Sequence, residues 1–464
     1  MQATATLSGS GAYPAIHPDD TVVAVSTPPG RGRIGIVRLS GPQALEISEQ
    51  LVRRPGAAPT PARRPLLGSL LDDAGNVVDE VLVTLFCAPK SYTAEDVVEI
   101  SCHGSPAILA FAVERAVSLG ARLAEPGEFT RRAFLNGRID LAQAEAIRDL
   151  IDATTIYQAR VALQQAKGAL SNRLAPVKQQ LCDLIALLEA GIDFAEDDID
   201  VASADQLLER LENIQSEVQR LVESYRYGKV VRGGLTLAIL GRPNVGKSSL
   251  FNRLLERERA IVTPQAGTTR DSVSEVGSIQ GLPIQFIDTA GIRPTTDVAE
   301  VQGVERSYQA LADADLVLVV IDLSQPLDET DNQLLAEARE RGKSLVVGNK
   351  ADLPSRNNSA LDLRVSAVTG EGMEALRKRI HDSVLPASGV EEEAGWITNL
   401  RHETLLRESL GSLNQAREAV ENGIPHEMLL LDLYAALQGF DQITGATTVD
   451  DILANIFSRF CIGK

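Results

Sequence analysis

Hydrophobic and polar positions fall into four successive textures along the chain. Up to about residue 137, short apolar runs (Val22-Val23-Ala24-Val25, Val81-Leu82-Val83-Thr84-Leu85, Val97-Val98-Glu99-Ile100) alternate with Gly and Pro punctuation and short helical stretches. That pattern predicts a compact domain of strands and helices. From Leu141 the apolar spacing lengthens to three and four, and Leu207, Leu208, Leu211, Ile214, Val218, Leu221 and Val222 form one core-facing stripe of a long helix. Strand-like runs return after residue 234. Leu316-Val317-Leu318-Val319-Val320-Ile321 is apolar throughout, as a strand covered on both faces of a parallel sheet must be, whereas Ile284-Gln285-Phe286-Ile287 alternates. Helical spacing resumes from about 387 to the end. The predicted fold class is multidomain, α+β and α/β: an N-terminal domain over 1–137, a helical domain in two parts over 138–233 and 387–464, and between them, over 234–386, an inserted domain with a mostly parallel sheet. Such insertions succeed where chain ends lie close together.

Composition narrows the class without naming a function. A chain of 464 residues, 44% of them hydrophobic, is expected to fold into about three domains. No apolar run reaches the length of a membrane span, and residues 1–20 have neither a basic start nor an apolar core. A cytoplasmic protein without a membrane segment is the expectation. Cys87, Cys102, Cys182 and Cys461 lack C-x-x-C spacing, which fits reduced thiols, mostly buried, and argues against a structural zinc site. The formal net charge of −18 does not advertise nucleic-acid binding, so any RNA is met locally or through a partner. Two local basic clusters exist, Arg31/Arg33/Arg38 and Arg131/Arg132/Arg138, and each is equally readable as a solvated face. The acidic run from Asp193 to Asp200 reads as a solvated connection between helices.

The chemistry is concentrated in the inserted domain. The apolar run Leu235–Leu240 enters Gly241-Arg242-Pro243-Asn244-Val245-Gly246-Lys247-Ser248-Ser249, as a strand enters a phosphate-binding loop. Glycines let backbone N–H groups close around phosphates, Lys247 neutralises their charge, and the Ser248 hydroxyl suits Mg²⁺ at the start of the next helix. Downstream, Ile284–Ile287 delivers Asp288-Thr289-Ala290-Gly291, a carboxylate and a glycine N–H placed to sense Mg²⁺ and the γ-phosphate. Leu345-Val346-Val347 leads to Asn349-Lys350-Ala351-Asp352. An aspartate there accepts from the N1–H and N2 amino edge of guanine, an edge adenine lacks, and so selects GTP over ATP. Ser366-Ala367-Val368, after Leu363-Arg364-Val365, stands where a backbone must cover the base. The position after the Asp-x-x-Gly element holds Ile292, which cannot align water by hydrogen bonding. Hydrolysis is then either slow or served by a carboxylate further along, Glu300 or Glu305.

Marks outside the nucleotide motifs carry a resemblance. Thr27-Pro28-Pro29-Gly30-Arg31-Gly32, the run from Pro126 to Gly137, Asp140-Leu141-Ala142-Gln143-Ala144-Glu145-Ala146 and the terminal Phe460-Cys461-Ile462-Gly463-Lys464 together resemble the MnmE (TrmE) tRNA-modification GTPase family along nearly the whole chain. The resemblance implies a folate-binding N-terminal domain that forms a homodimer, a helical domain, and GTPase domains that activate one another with potassium. It implies a flavin enzyme partner, MnmG (GidA), in a heterotetramer. The pair installs an aminomethyl-type group, such as carboxymethylaminomethyl, on carbon 5 of the wobble uridine of certain tRNAs, with a one-carbon unit from 5-formyl- or 5,10-methylene-tetrahydrofolate.

Carried onto this chain, the resemblance implies Asn244 as a potassium ligand and 261–271 as the potassium loop. In that loop Thr263, Gln265 and Thr268 surround the ion, Thr269 meets Mg²⁺, and Pro264, Ala266 and Gly267 line the nucleotide. It implies Glu300 as the water-orienting carboxylate. Folate contacts map to Arg38, Glu99, Arg138 and Lys464, with Arg138 standing where some relatives have lysine, so that a planar fork replaces a point charge. Cys461 is placed near the folate, either as a catalytic thiol or as a small residue on the apolar stripe of Ile452, Leu453, Ile456, Phe457 and Phe460. Two other classes compete: a regulatory switch that gates RNA binding, against which no basic module follows the GTPase, and a stand-alone folate-dependent aminomethyltransferase, which the complete GTPase disfavours.

Overall fold

The computed structural model describes residues 20–54, 63–193, 203–255, 275–287, 314–340, 343–356, 361–385, 395–446 and 463. Asp288–Gly291, Thr263–Thr269, Glu300, Cys461 and Lys464 lie outside them. The chain divides into two compact units: Met1–Arg148 with Asp441–Lys464, and Asp149–Phe440.

In the first unit, strands β1 (Val22–Val25), β2 (Ile34–Ser40), β3 (Val52–Arg53), β4 (Leu66–Leu71), β5 (Val77–Phe86), β6 (Val97–His103) and β7 (Arg122–Leu123) form one sheet in the order β3-β4-β5-β6-β2-β1-β7. All pairings are antiparallel except β1 with β7. Period-two alternation sends Val37, Leu39, Val98 and Ile100 into a core with Ile47 and Leu51 of α1 (Ala44–Leu51) and Ala112 and Ala116 of α2 (Pro106–Ser118). The same alternation turns Arg38 and Glu99, cross-strand partners on β2 and β6, to the other face. Helix α3 (Glu128–Leu135) carries Arg132, only 1% exposed. Its guanidinium lies 3.0 Å from Glu128 and 3.0 Å from Glu95. Burial alone would raise the Glu128 carboxyl, but the Arg122 fork, the Glu125 N–H and Arg132 outweigh it and hold it below its ordinary value.

Two sequence expectations are corrected here. Arg131 and Arg132 are buried rather than presented on a basic surface, because the carboxylates that neutralise Arg132 come from α3 itself and from the segment before β6. Of the three described cysteines only Cys102 is buried; Cys87 is exposed because it sits in the turn after β5, and Cys182 is half-buried. Burial, reinforced by the Asp79 carboxylate, pushes the Cys102 thiol up to about 12, so it stays protonated at neutral pH.

After α4 (Leu141–Asp152), the second unit combines helices with the nucleotide sheet. Its first helices are α5 (Ile156–Ala166), α6 (Ala169–Asp193) and α7 (Ala204–Gly233). Ser203 and Gln206 close a capping box at the start of α7, and the predicted stripe is buried from Leu207 to Val222, with Leu208 at its half-buried edge. Gly234, at φ +84°, ends the helix, and β8 (Leu235–Leu240) begins at the next residue. Strands β8, β9 (Glu275–Ile279), β10 (Leu282–Ile287), β11 (Leu316–Asp322), β12 (Ser344–Asn349) and β13 (Leu363–Arg364) order as β13-β12-β11-β8-β10-β9. Only the β9–β10 hairpin is antiparallel. All seven residues of β11 are buried, as the apolar run required.

Helices α8 (Lys247–Leu255), α9 (Glu329–Glu340) and α10 (Met373–Val384) accompany the sheet, and α11 (Leu400–Glu421) and α12 (His426–Thr444) follow it. One core joins sheet and helical layer: Val161, Val230, Val231 and Trp396 pack with Leu235, Ile284 and Phe286. Among the described residues no helix is long and apolar enough to cross a membrane.

Candidate functional site

The phosphate loop runs from the end of β8 to the start of α8. Gly241 is at φ +151° and Gly246 at φ +93°, and neither tolerates a side chain. A Cβ would lie 2.4 Å from the Val320 carbonyl at Gly241 and 2.3 Å from Asn349 Nδ2 at Gly246. Lys247 Nζ donates to the carbonyls of Gly241 (2.6 Å) and Arg242 (2.8 Å), which places the ammonium across the loop. Ser248 is half-buried in the first turn of α8, Ser249 is exposed, and Asn244 is exposed with φ +64°.

Asn349, 2% exposed at the end of β12, ties three loops together. Its Nδ2 donates to the Val245 carbonyl at 2.9 Å and its Oδ1 accepts from Ala367 N–H at 3.1 Å. The phosphate loop, the Asn-Lys-x-Asp element and the Ser366–Val368 loop are thereby fixed to one another at the carboxyl ends of parallel strands, where ligands of such sheets bind. Asp352 is exposed and accepts from Ser366 Oγ, and Val368, two residues after Ser366, is 76% exposed. Lys350 Nζ lies 2.6 Å from Asp322 Oδ2, which ends β11. Burial would raise the Asp322 carboxyl, but Lys350 and the Ser324 hydroxyl and N–H together hold it below its ordinary value. Strand β10 lies parallel beside β8, with Ile287 opposite Ala238, so β10 ends at the same end of the sheet as β8.

A second constellation occupies the first unit. Glu99 Oε1 accepts from Arg38 Nε (3.0 Å) and Nη2 (2.7 Å). The Tyr92 ring has the guanidinium of Arg38 at 5.7 Å and that of Arg138 at 5.6 Å from its centroid, and Arg138 donates to the Ser91 carbonyl. A cavity of about 530 Å³ opens here, lined by Arg63, Phe86, Lys90, Tyr92, Glu99 and Arg138. Gly463, near the chain end, reaches the same place: its carbonyl accepts from Ser26 Oγ at 3.0 Å and from Arg38 Nη1 at 3.4 Å. Of the four positions the resemblance grouped, Arg38, Glu99 and Arg138 are brought together around Tyr92, with Gly463 against Arg38, while Lys464 lies outside the described residues. Arg63, Phe86, Lys90 and Tyr92 carry no site signal in the sequence, since Phe86 reads as the last position of a strand and the other three fall in connecting segments without a period. The same is true of Arg242, Asp322, Asp328 and Asp331 around the phosphate loop.

A glycine-rich strand-to-helix loop, an asparagine bridging it to a base-covering loop, and a mostly parallel sheet define a P-loop nucleotide-binding protein of G-domain type. The family model described as "GTP-binding protein TrmE N-terminus" matches residues 21–138, and the one described as "MnmE helical domain" matches residues 141–461. The chain belongs to the MnmE/TrmE family. Two curated relatives named "tRNA modification GTPase MnmE" show how far the match extends. The one from Koribacter versatilis is 54% identical over 96% of this chain and 99% of its own length, and the one from Aquifex aeolicus is 44% identical over 96% and 100%. Among solved structures, Aquifex aeolicus Era bound to GDP and aluminium fluoride matches 38% of this chain and 66% of its own, at 29% identity and a TM-score of 0.26.

Proposed function

We propose that the protein is a cytoplasmic, potassium-activated GTP hydrolase that modifies carbon 5 of the wobble uridine in certain tRNAs, as a homodimer working with an MnmG-like flavoprotein. The observation that carries the reading is the three-loop tie at Asn349, which holds a phosphate loop and an exposed Asp352 carboxylate in one site. Full-length similarity to relatives named as tRNA modification GTPases supplies the tRNA.

In this reading Lys247 neutralises the β- and γ-phosphates, Ser248 and Thr269 hold Mg²⁺, and Asp288–Gly291 sense the γ-phosphate. Asp352 selects guanine, and Ser366, Ala367 and Val368 cover it. Asn244, with Thr263, Gln265 and Thr268, holds potassium, whose charge stabilises the leaving phosphate, and Glu300 orients the attacking water. The exposed Asn244 side chain and the half-buried Ser248 hydroxyl fit a monovalent ion outside the loop and a divalent ion at the helix start. The division into 1–137, 138–233, 234–386 and 387–464 belongs to the same reading.

The cavity lined by Glu99, Tyr92 and Arg138, with Arg38 behind Glu99, fits a reduced folate, because Glu99 accepts from the amino edge of a pterin, Tyr92 offers an aromatic face, and Arg63, Lys90 and Arg138 suit carboxylates. The bound folate supplies the one-carbon unit. Lys464 completes the cation set, and Cys461 is assigned to the modification step rather than to hydrolysis. The test is threefold on purified protein: GTP against ATP turnover, release of a reduced folate on denaturation, and nucleoside mass spectrometry of tRNA from a deletion strain. Equal turnover of GTP and ATP, or unaltered wobble uridine in the deletion strain, would overturn the reading.

A further inference from the structure

Arg242 is the second residue of the phosphate loop. Its guanidinium makes three ion-pair contacts with one element: Nε to Asp331 Oδ1 at 3.0 Å, Nη2 to Asp331 Oδ2 at 2.9 Å, and Nη1 to Asp328 Oδ2 at 2.6 Å. Asp331 is 1% exposed. The two carboxylates also bond each other's backbones, Asp331 N–H to Asp328 Oδ1 at 3.0 Å and Asp328 N–H to Asp331 Oδ2 at 3.3 Å, a reciprocal cap on α9 made of two acids. That cap brings two negative charges into one turn, and Arg242 balances them in a planar, two-pronged geometry that lysine cannot reproduce.

The backbone of Arg242 faces the opposite task. Its carbonyl, with that of Gly241, accepts from the Lys247 ammonium. One residue therefore joins the phosphate-binding lysine to the start of α9: the main chain receives Lys247 while the side chain is anchored to a buried carboxylate. The two sets of contacts pull on Arg242 from opposite sides, the Lys247 ammonium on its carbonyl and the two carboxylates on its guanidinium.

We infer that Arg242 is a positioning residue for phosphate binding: the Asp331–Asp328 clamp holds the rising limb of the loop in the geometry that accepts a nucleotide diphosphate. The inference rests on the guanine-nucleotide reading above. It names an interaction that acts through the backbone, not a further phosphate ligand.

A lone Arg242→Gln leaves Asp331 buried without its partner and is expected to lower the melting temperature, so two other variants carry the test. Arg242→Lys keeps the charge and loses the fork; the double variant Arg242→Gln/Asp331→Asn removes both charges together. Each is measured without nucleotide for its melting temperature, and by stopped flow for release of a fluorescent methylanthraniloyl-GDP. Both variants should melt close to wild type and release GDP faster by on the order of 10- to 100-fold, the cost of a displaced binding group. Wild-type release rates in either folded variant would overturn the inference. So would faster release that appears only together with a lowered melting temperature in both variants, because the clamp would then act on stability alone. Failure of the wild-type protein to retain the probe would instead sink the guanine-nucleotide reading itself.

Discussion

The Gly463 carbonyl accepts a hydrogen bond from Ser26 Oγ at 3.0 Å, joining residues 437 positions apart. Gly463 is at φ +101°, and a Cβ there would lie 2.2 Å from the Val25 carbonyl. Only glycine fits. In Gly463→Ala, left-handed strain of about 1–2 kcal/mol adds to that backbone clash, and residue 463 should leave its place against Ser26 and Arg38. Affinity for 5-formyltetrahydrofolate, read by calorimetry, should fall while GTP turnover is preserved. Undiminished folate binding would separate the tail from the cavity.

Glu99→Ala probes the cavity more directly. Removing the carboxylate deletes the proposed pterin acceptor and frees the Arg38 guanidinium, which now donates twice to Glu99 Oε1. Loss of charged hydrogen bonds of about 1.5–3 kcal/mol each predicts a fall of roughly tenfold or more in 5-formyltetrahydrofolate affinity. If the isotherm does not change, the Arg38–Glu99 pair is structural only.

Asp352→Asn should change the preferred base. An asparagine amide donates to the 2-oxo group of xanthine and still accepts from its N1–H, whereas guanine then meets an amide where it needs an acceptor. GTP affinity should fall by on the order of 10²-fold and XTP affinity should rise. Ser366 Oγ can still donate to the asparagine oxygen, so the loop tie persists. Competition titrations with both nucleotides decide it, and unchanged preference would remove Asp352 from the base edge.

The potassium proposal predicts a salt effect with a genetic control. An ion standing in for an arginine finger contributes on the order of 10³–10⁵ in rate, so GTP turnover should be far faster in potassium than in sodium. Asn244→Ala should erase most of that difference while GDP binding persists. Equal rates in the two salts for the wild-type protein would exclude the ion.

Glu300→Ala should keep nucleotide affinity and lose roughly 10²–10⁴-fold in turnover, the usual contribution of a positioned base. Should hydrolysis survive that change and disappear in Glu305→Ala, the carboxylate five residues further along does the work.

Much of the nucleotide unit is readable from residue pattern alone, because its strands are short apolar runs whose period reports burial directly. Leu316–Ile321 shows this: an all-apolar run became a strand buried along its whole length. What local pattern does not encode is which distant group meets a charge. Glu128, four residues before Arg132, is a partner the helical spacing allows, but that spacing does not tell a buried guanidinium from a solvated one, and the second carboxylate, Glu95, is 37 residues away. Arg242 and Asp331 are separated by 89 residues, and their bidentate contact exists only once β8 and β11 are adjacent. Tyr92 shows the same limit at the cavity, where its two flanking cations come from β2 and from beyond α3.

Helix α7 ends at Gly233 and β8 starts at Leu235, with a single residue between them. Thirty helical residues span about 45 Å at 1.5 Å per residue. Gly234 alone between them leaves this rod and the strand that feeds the phosphate loop on one nearly unbroken stretch of backbone. With Val230 and Val231 packed against the sheet, a tilt of about 5° at that end sweeps the Ser203 end through about 4 Å over the same length. Gln215 on the same rod donates to the Leu413 carbonyl at 3.0 Å, so any such tilt would have to carry α11 with it or break that bond.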